Sequence, residues 1–84
     1  MAEGLIRYWA AAKAAAGVAE EPYRAGTLAE LLRNAAGERD EEFRRVLARS
    51  SFLVDGQPVG SRPHDGVELT EGAVVEVLPP FAGG

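Results

Sequence analysis

The chain has 84 residues, of which 46% are apolar and 26% charged, and it contains no cysteine. This length allows one small domain, and the composition argues against wholesale disorder. Without cysteine there is no disulfide framework, no thiol nucleophile and no Cys-ligated zinc site, as fits a reducing compartment.

The charge and hydropathy patterns exclude two further classes of partner. Thirteen acidic against nine basic residues give a net charge of -4, whereas a nucleic-acid-binding domain carries a basic face. The most apolar stretch, residues 8–19, is too short and too weakly hydrophobic to span a bilayer. The first residues lack the positive segment of a signal peptide. We therefore expect a cytoplasmic protein that binds neither nucleic acid nor membrane.

The first third of the chain is predicted to alternate strand and helix. Residues 5–9 are β-branched and aromatic and carry apolar groups on both faces, which favours a central strand. The alanines at 10–16 favour a short helix that Gly17 ends. Residues 20–24 form a further strand, and Pro22 confines it to an edge because proline lacks a backbone donor.

Two helices are predicted next. Thr27 and Glu30 have the spacing of a capping box, and an apolar stripe follows them until Gly37 closes the helix. Residues 40–49 have acidic residues first and arginines later, the order that the helix dipole favours. A solvated face with pairs such as Glu41–Arg45 explains these charges better than a phosphate-binding role.

The last third of the chain is predicted to form strands. Residues 52–59 make a hairpin around the Asp55-Gly56 turn, a short extended stretch follows at 67–69, and residues 74–78 form a buried strand. This element order predicts an α+β fold, a sheet with its helices on one face, in which the first and last strands pair in the middle.

The sequence contains no convincing catalytic constellation. His64 is the only histidine, and its neighbour Asp65 lies in the same turn, where adjacent residues seldom orient each other as triad members do. No serine sits in a strand–turn–helix elbow, and the glycines form no phosphate loop. We expect no autonomous active site.

The final residues, 79–84, are the most informative segment. Pro79 and Pro80 end the last strand and impose an extended course, so the tail can reach at most about 20 Å beyond the sheet. Gly83 and Gly84 have no side chains and can enter a channel barely wider than the backbone. Such a tail presents the Gly84 carboxylate to another protein, which can activate it as an acyl group.

Several segments then resemble the small subunit of molybdopterin synthase, a family of ubiquitin-like sulfur carriers. The resemblance covers nearly the whole chain and is carried by residues 8–17, 27–32, 54–57 and 69–84. Lys13 and Ala73 depart from the family pattern, in which Arg and Asp are usual. The terminal Leu-Pro-Pro-x-x-Gly-Gly is the specific part of the match.

The resemblance implies a β-grasp domain over residues 1–78 and a flexible tail over 79–84. It further implies that a ubiquitin-activating-type enzyme uses ATP to adenylate Gly84, and that a sulfur donor converts the adenylate to a thiocarboxylate. The tail then enters the large, catalytic subunit of a heterotetrameric synthase and gives its sulfur to cyclic pyranopterin monophosphate. The chain itself is expected to be no enzyme and to bind no cofactor.

By position, the expected partner interface has two parts. An apolar patch of Trp9, Val59 and Leu78 docks on the partners, and the channel is filled by the tail residues Pro79, Pro80, Phe81, Ala82 and Gly83. Two alternatives stay open. One is a carrier of the same fold that serves thiazole, cysteine or tRNA thiolation, and the other is a plain interaction module. Thiazole carriers are usually shorter and lack the second helix.

Overall fold

The computed structural model describes residues 1–37 and 39–80, and all structural statements refer to them. The elements occur in the predicted order. Their bounds are β1 Ala2–Tyr8, α1 Ala10–Ala16, β2 Glu20–Ala25, α2 Leu28–Ala36, α3 Glu41–Arg49, β3 Ser51–Val54, β4 Gln57–Pro58, a 3₁₀ helix His64–Gly66, and β5 Val74–Leu78.

The five strands form one mixed sheet in the order β2-β1-β5-β3-β4. β1 and β5 are parallel neighbours, with Ile6 opposite Val75 and Tyr8 opposite Val77. The other strand pairs are antiparallel. The predicted pairing of the first and last strands is therefore confirmed, and β5 is the middle strand of the sheet.

One face of the sheet is covered by the helices and holds the core. Side chains alternate between the faces of a strand, and those of Ile6, Tyr8, Phe52, Val75 and Val77 all point to the covered side, each no more than 5% exposed. The apolar stripes of α2 and α3 pack onto them through buried residues, namely Leu28, Leu31, Ala35, Phe43 and Leu47. The predicted α+β class, with helices on one face, is confirmed.

The opposite face of the sheet, which we call the open face, is not covered by any helix of residues 1–37 and 39–80. On β1 it carries Leu5, which is half-buried, and Arg7, which is exposed. Residues 5–9 are thus interior to the sheet as predicted, but the predicted reason is wrong because only one of their faces is buried. Hydrogen bonding to β2 and β5 places β1 inside the sheet.

Strand β2 is an edge strand, as Pro22 predicts. Pro22 lies opposite Leu5 in the antiparallel pair. The N–H of Leu5 donates to the carbonyl oxygen of Ala73 at 3.3 Å, away from β2. Because Pro22 is paired with Leu5, its backbone nitrogen points away from β1, toward the free edge of the sheet. Proline has no N–H, so another strand that added to this edge would find no hydrogen-bond donor at this position.

The ends of α1 and α2 confirm part of the predicted capping. Gly17 ends α1 in the left-handed region at φ 82°. At the start of α2, the Thr27 hydroxyl accepts from the Glu30 N–H at 3.2 Å, but the Glu30 carboxylate accepts from the Gly26 N–H at 2.7 Å instead of from Thr27. The capping box is therefore only half formed.

Helix α2 ends at Gly37 as predicted, but this glycine does not form the left-handed cap that ends many helices. Gly37 has right-handed helical angles, φ -54° and ψ -42°. Two arginines satisfy the last carbonyls instead: Arg39 donates to the Ala35 oxygen at 2.8 Å, and Arg44 donates to the Ala36 oxygen at 3.3 Å.

Helix α3 and the hairpin follow their predictions with one exception. The Asp40 carboxylate caps α3 by accepting from the Phe43 N–H at 3.1 Å. Arg45 pairs with Glu42 at 3.9 Å, not with Glu41 as predicted, and both partners are exposed. The hairpin turn has positive φ at both central residues, 50° at Asp55 and 81° at Gly56, which matches the twist of the strands it joins.

Residues 67–69 form no strand and contribute only one bridge, from Glu68 to Thr27.

Candidate functional site

The parallel strands β1 and β5 end side by side, directly before Pro79 and Pro80. The N–H of Trp9 donates to the Val77 carbonyl oxygen at 3.2 Å, which extends the pairing one residue beyond β1. In this register Trp9 is the neighbour of Leu78 on the open face. The structure therefore brings together two of the three predicted interface residues.

The Trp9 side chain is held in place although it is 48% exposed. Its indole N–H donates to Oε1 of Glu76 at 3.0 Å. The next residue, Ala10, has a φ of 49°, and this rare conformation turns the chain from β1 directly into α1. A large aromatic ring is thus presented to solvent in one orientation, next to the origin of the tail.

The open face continues away from Trp9 as a mixed apolar and charged surface. Glu76, the half-buried middle residue of β5, lies at the centre of this surface between Arg7 of β1 and Leu53 of β3. Half-buried apolar residues lie around it on three neighbouring strands, namely Leu5, Leu53, Val74 and Leu78. Toward the β2 edge, Arg7 pairs with Glu20 at 3.3 Å, and both side chains are about half exposed. A surface that mixes half-buried apolar side chains with charged groups has a composition found in protein–protein interfaces.

Val59 does not belong to this surface, and its prediction as an interface residue is corrected. Val59 is 3% exposed and lies in the core. Its N–H donates to the Phe52 carbonyl oxygen at 3.0 Å, so the hairpin register pairs Val59 with Phe52. Paired residues share a face of the sheet, and Phe52 faces the helices.

The tail begins where the two prolines were predicted to end the last strand. Pro79 is half-buried and Pro80 is exposed, and neither belongs to a strand or helix. The remaining predicted site residues, Phe81, Ala82, Gly83 and Gly84, lie outside the described residues. The predicted division into a domain at 1–78 and a tail at 79–84 stays a prediction.

A partly buried polar network under the helices was not predicted. Arg39 forms an ion pair with Glu21 at 2.9 Å, and its guanidinium lies over the rings of Tyr8 and Phe43 at 5.5 and 4.9 Å. The Tyr8 hydroxyl donates to Glu21 at 2.6 Å, and Arg39 also donates to the Ala16 carbonyl oxygen at 3.3 Å. The network thus connects β1, β2 and all three α-helices.

This network shifts the pKa values of its members. Burial acts to raise the pKa of the Glu21 carboxyl, but hydrogen bonds from Arg39 and Tyr8 outweigh it and hold that pKa below its ordinary value. Burial and the hydrogen bond to Glu21 raise the pKa of Tyr8. All three groups therefore stay in their ordinary ionisation states near neutral pH, and the network supports the fold.

The structure gives no catalytic geometry around His64. Its ring is half-buried and packs edge-on against Phe52 at 5.1 Å. Within the described part of the chain, no hydrogen bond joins His64 to Asp65. Residues 1–37 and 39–80 contain no group of three or more metal-ligating side chains. Among the same residues, no helix has the length and apolar character needed to cross a membrane.

Comparison with known families identifies the chain's relatives. A profile of the ThiS family matches residues 6–84. The chain belongs to the ThiS family. The match covers the sheet except for the first residues of β1, together with the helices and the tail sequence. It confirms the resemblance to ubiquitin-like sulfur carriers. No curated protein matches the sequence significantly.

Solved structures confirm the fold of this ThiS-family chain. Small archaeal modifier protein 1 of Methanosarcina acetivorans has a TM-score of 0.81 at 21% identity, covering 100% of this chain and 98% of its own. A Pyrococcus furiosus protein assigned as subunit 1 of molybdopterin converting factor has 0.79 at 25%, covering 96% and 100%. The predicted ubiquitin-like β-grasp fold is thus confirmed.

A third similar structure is a protein–protein complex of subunits 1 and 2 of molybdopterin-converting factor from Helicobacter pylori. Its TM-score is 0.69 at 22% identity, covering 98% of this chain and 99% of that chain. A small β-grasp protein of this shape is therefore found together with a second subunit.

Proposed function

We propose that this chain is the sulfur-carrier subunit of a molybdopterin synthase. The observation that carries the proposal is the family match over residues 6–84, which includes the Leu-Pro-Pro-x-x-Gly-Gly end. The fold supports it, because the tail leaves the sheet beside an exposed tryptophan and an uncovered face. In this proposal the chain is a substrate and carrier, and the catalytic residues belong to the larger subunit.

The proposed chemistry takes place at the carboxylate of Gly84. A ubiquitin-activating-type enzyme transfers AMP from ATP to this carboxylate and releases pyrophosphate. A sulfur donor then displaces AMP, and the product is a thiocarboxylate. AMP is a good leaving group, and the thiocarboxylate is a nucleophilic sulfur that a buried tail protects from water.

The proposed acceptor is cyclic pyranopterin monophosphate, bound by the large subunit. The tail, from Pro79 to Gly84, enters that subunit, and its thiocarboxylate sulfur bonds to the acceptor. Water then cleaves the bond between this sulfur and the acyl carbon, which returns Gly84 to the carboxylate. Two thiocarboxylated tails in succession supply the two sulfurs of the dithiolene. The Helicobacter pylori complex of two molybdopterin-converting factor subunits supports a partner of this kind, and a heterotetramer is the expected assembly. Cytoplasmic localisation stays a prediction from the sequence.

The proposed docking surface is the open face at the end of β1 and β5. Trp9 and Leu78 form its part nearest the tail, and Leu5 and Leu53 extend it across the sheet. The same surface serves the adenylating enzyme and the synthase in turn, because both must receive the same tail. The two complexes therefore exclude each other.

A second candidate is a carrier of the same fold in another pathway. The similarity to small archaeal modifier protein 1 favours this reading, because the TM-score of that protein is as high as those of the converting-factor proteins. Carriers for thiazole, cysteine or tRNA thiolation, and a modifier, would use the same activated glycine. The pathways differ only in the protein that receives the tail.

The first experiment measures the intact mass of the chain after incubation with ATP, a sulfur donor and a cognate adenylating enzyme. We expect an AMP adduct, then a mass gain equal to the replacement of one oxygen by sulfur at Gly84. The variant lacking Gly84 is the control and should stay unchanged. If the mass of the parent chain never changes with any such enzyme, every hypothesis that makes this chain a sulfur carrier is rejected.

The second experiment identifies the pathway by capture of the partner. The thiocarboxylated chain is offered a molybdopterin synthase large subunit and a thiazole synthase in equal amounts. We expect a stable complex with the first protein and sulfur transfer to its pterin substrate. A stable complex with the thiazole synthase alone would reject the molybdopterin pathway and leave the carrier chemistry intact.

A further inference from the structure

A groove lies on the helix side of the molecule, across the sheet from the open face. It runs between α2, α3 and the 3₁₀ helix and has a volume of about 420 Å³. We call it the helix groove. Apolar side chains supply most of its lining, namely Ala29, Leu32, Leu47, Ala48 and Phe52. Its volume is within the range of binding pockets and matches a few side chains of a partner.

The rim of the helix groove is positively charged. Arg33 of α2 and Arg44 of α3 line it from two sides, and its lining contains no acidic residue. In the described part of the chain, no carboxylate lies within 4.0 Å of either guanidinium. By contrast, Arg45 on the same helix as Arg44 pairs with Glu42.

A third donor group lines the same groove. His64 is half-buried and is fixed edge-on against Phe52. Its imidazole nitrogens make no hydrogen bond to any residue within 1–37 and 39–80. The lining thus combines an apolar floor with hydrogen-bond donors that lack acidic partners.

This local charge is opposite to the charge of the whole molecule, which is -4. Among residues 1–37 and 39–80 these two arginines have no carboxylate partner. Two guanidinium groups at one groove of an acidic protein attract negatively charged groups, and the apolar floor adds affinity for an apolar side chain next to them. An inorganic anion would use only the rim. An anionic membrane surface would also approach the rest of the molecule, which is acidic and would repel it.

We propose that the helix groove binds an acidic peptide segment of a partner protein, with an apolar side chain on the floor and carboxylates on Arg33 and Arg44. The groove and the open face lie on opposite sides of the sheet, so a partner can occupy the groove while the tail is engaged elsewhere. This inference goes beyond the proposed function and does not depend on the chemistry of Gly84.

The test uses the full chain labelled with ¹⁵N and a synthetic peptide, Glu-Leu-Asp-Phe-Glu-Leu, blocked at both ends. The amide shifts of Ala29, Leu47 and Ala48 should move on titration, and the affinity should fall as salt is added. The matched control peptide carries Gln and Asn in place of the acids and should bind about tenfold more weakly or not at all.

Variants of the chain test the same contacts. Arg33→Gln combined with Arg44→Gln should raise the Kd for the acidic peptide about tenfold, whereas Arg49→Gln, on α3 outside the groove, should change it less than about twofold. Because Arg44 also caps α2, the single Arg33→Gln variant is measured as well and should show part of the loss. All variants should still acquire a thiocarboxylate.

Four results of the peptide and anion titrations would overturn the proposal, and a fifth comes from dilution of the chain alone. These are equal binding of the neutral peptide, shifts confined to the open face, unchanged affinity in the Arg33 and Arg44 variants, and the same set of shifts with inorganic phosphate or AMP alone. The last result would make the groove a site for small anions. A change of the same amides with protein concentration alone would make its occupant a second copy of this chain.

Discussion

The indole N–H of Trp9 donates to the carboxylate of Glu76 at 3.0 Å, and this bond joins the two parallel strands on the open face. Trp9 is about half exposed, so the bond is not needed to bury the ring. It fixes the orientation of an aromatic surface beside the tail. In the proposed function, this orientation is what a docking partner recognises.

Replacing Trp9 by Phe keeps an aromatic ring and removes the N–H. We expect the free energy of unfolding to change by less than about 1 kcal/mol, because an exposed hydrogen bond contributes little. Binding to the synthase large subunit should weaken. Urea unfolding and calorimetric titration measure the two effects.

The control for this variant is Val59→Ala. Because Val59 is buried, its truncation should lower the free energy of unfolding by about 1–3 kcal/mol and leave binding by the folded fraction unchanged. If Trp9→Phe destabilised the fold as much as Val59→Ala and bound normally, Trp9 would be a structural residue.

Changing Gly83 to Val should abolish sulfur transfer and leave thermal unfolding nearly unchanged. In the proposed function the tail enters a channel that fits a bare backbone, so a β-branched side chain would block its entry. A residue five positions after the last strand in the sequence should contribute little to stability. Gly66→Ala is the matched control, since a Cβ at Gly66 meets nothing within 4 Å. Equal losses of transfer and melting temperature in the Gly83 variant would assign that glycine a structural role.

The network around Glu21 predicts how stability depends on pH. The pKa of Glu21 is lower in the folded chain than its ordinary value of 4.5. Its contribution is therefore fully present above the ordinary value and is lost as the pH falls through the lowered pKa. In Glu21→Gln, the free energy of unfolding should fall less steeply with acid than in the parent chain.

Glu20→Gln is the control for the pH experiment, because the pair of Glu20 with Arg7 is exposed and such pairs contribute at most about 1 kcal/mol. Its acid profile should follow that of the parent chain. A Glu21→Gln profile parallel to the parent's would show that the network does not govern acid unfolding.

Gly4→Ala should destabilise the fold. A Cβ at Gly4 would overlap the carbonyl oxygen of Ala73 and would lie 2.6 Å from the hydroxyl of Tyr23. That hydroxyl donates to the same carbonyl at 2.8 Å, so neither group can move without losing the bond. We expect a loss of about 1–3 kcal/mol in chemical unfolding. Gly26→Ala, where the added Cβ would have an ordinary 3.6 Å contact, should cost clearly less; similar losses would reject the packing argument.

Local signals in the sequence predicted most of the fold. The Asp55-Gly56 hairpin, the Pro22 edge and the stop at Gly17 each follow from the backbone chemistry of one or two residues. Features that depend on distant partners were missed. Arg39 reaches Glu21 and Tyr8 only after three elements have packed, and no spacing in the sequence indicates that meeting.

The candidate site shows the same division. Trp9 and Leu78 could be predicted as neighbours because two strong strands were expected to pair. Val59 was misplaced because the two-residue turn fixes only its pairing with Phe52, whereas the face that this pair turns to the helices is decided by packing. A change of one residue in register moves a side chain to the other face of the sheet.

The position of β5 has a mechanical consequence for a protein that is held by its tail. Force applied at Pro79 pulls on a strand that is bonded on both sides, to β1 and to β3. The hydrogen bonds of both strand pairs then share the load, and they must break together instead of one after another from an edge. An unfolding machine that grips the chain at this end must break the centre of the sheet first. In the proposed function the domain would therefore stay folded while its tail is threaded into another protein.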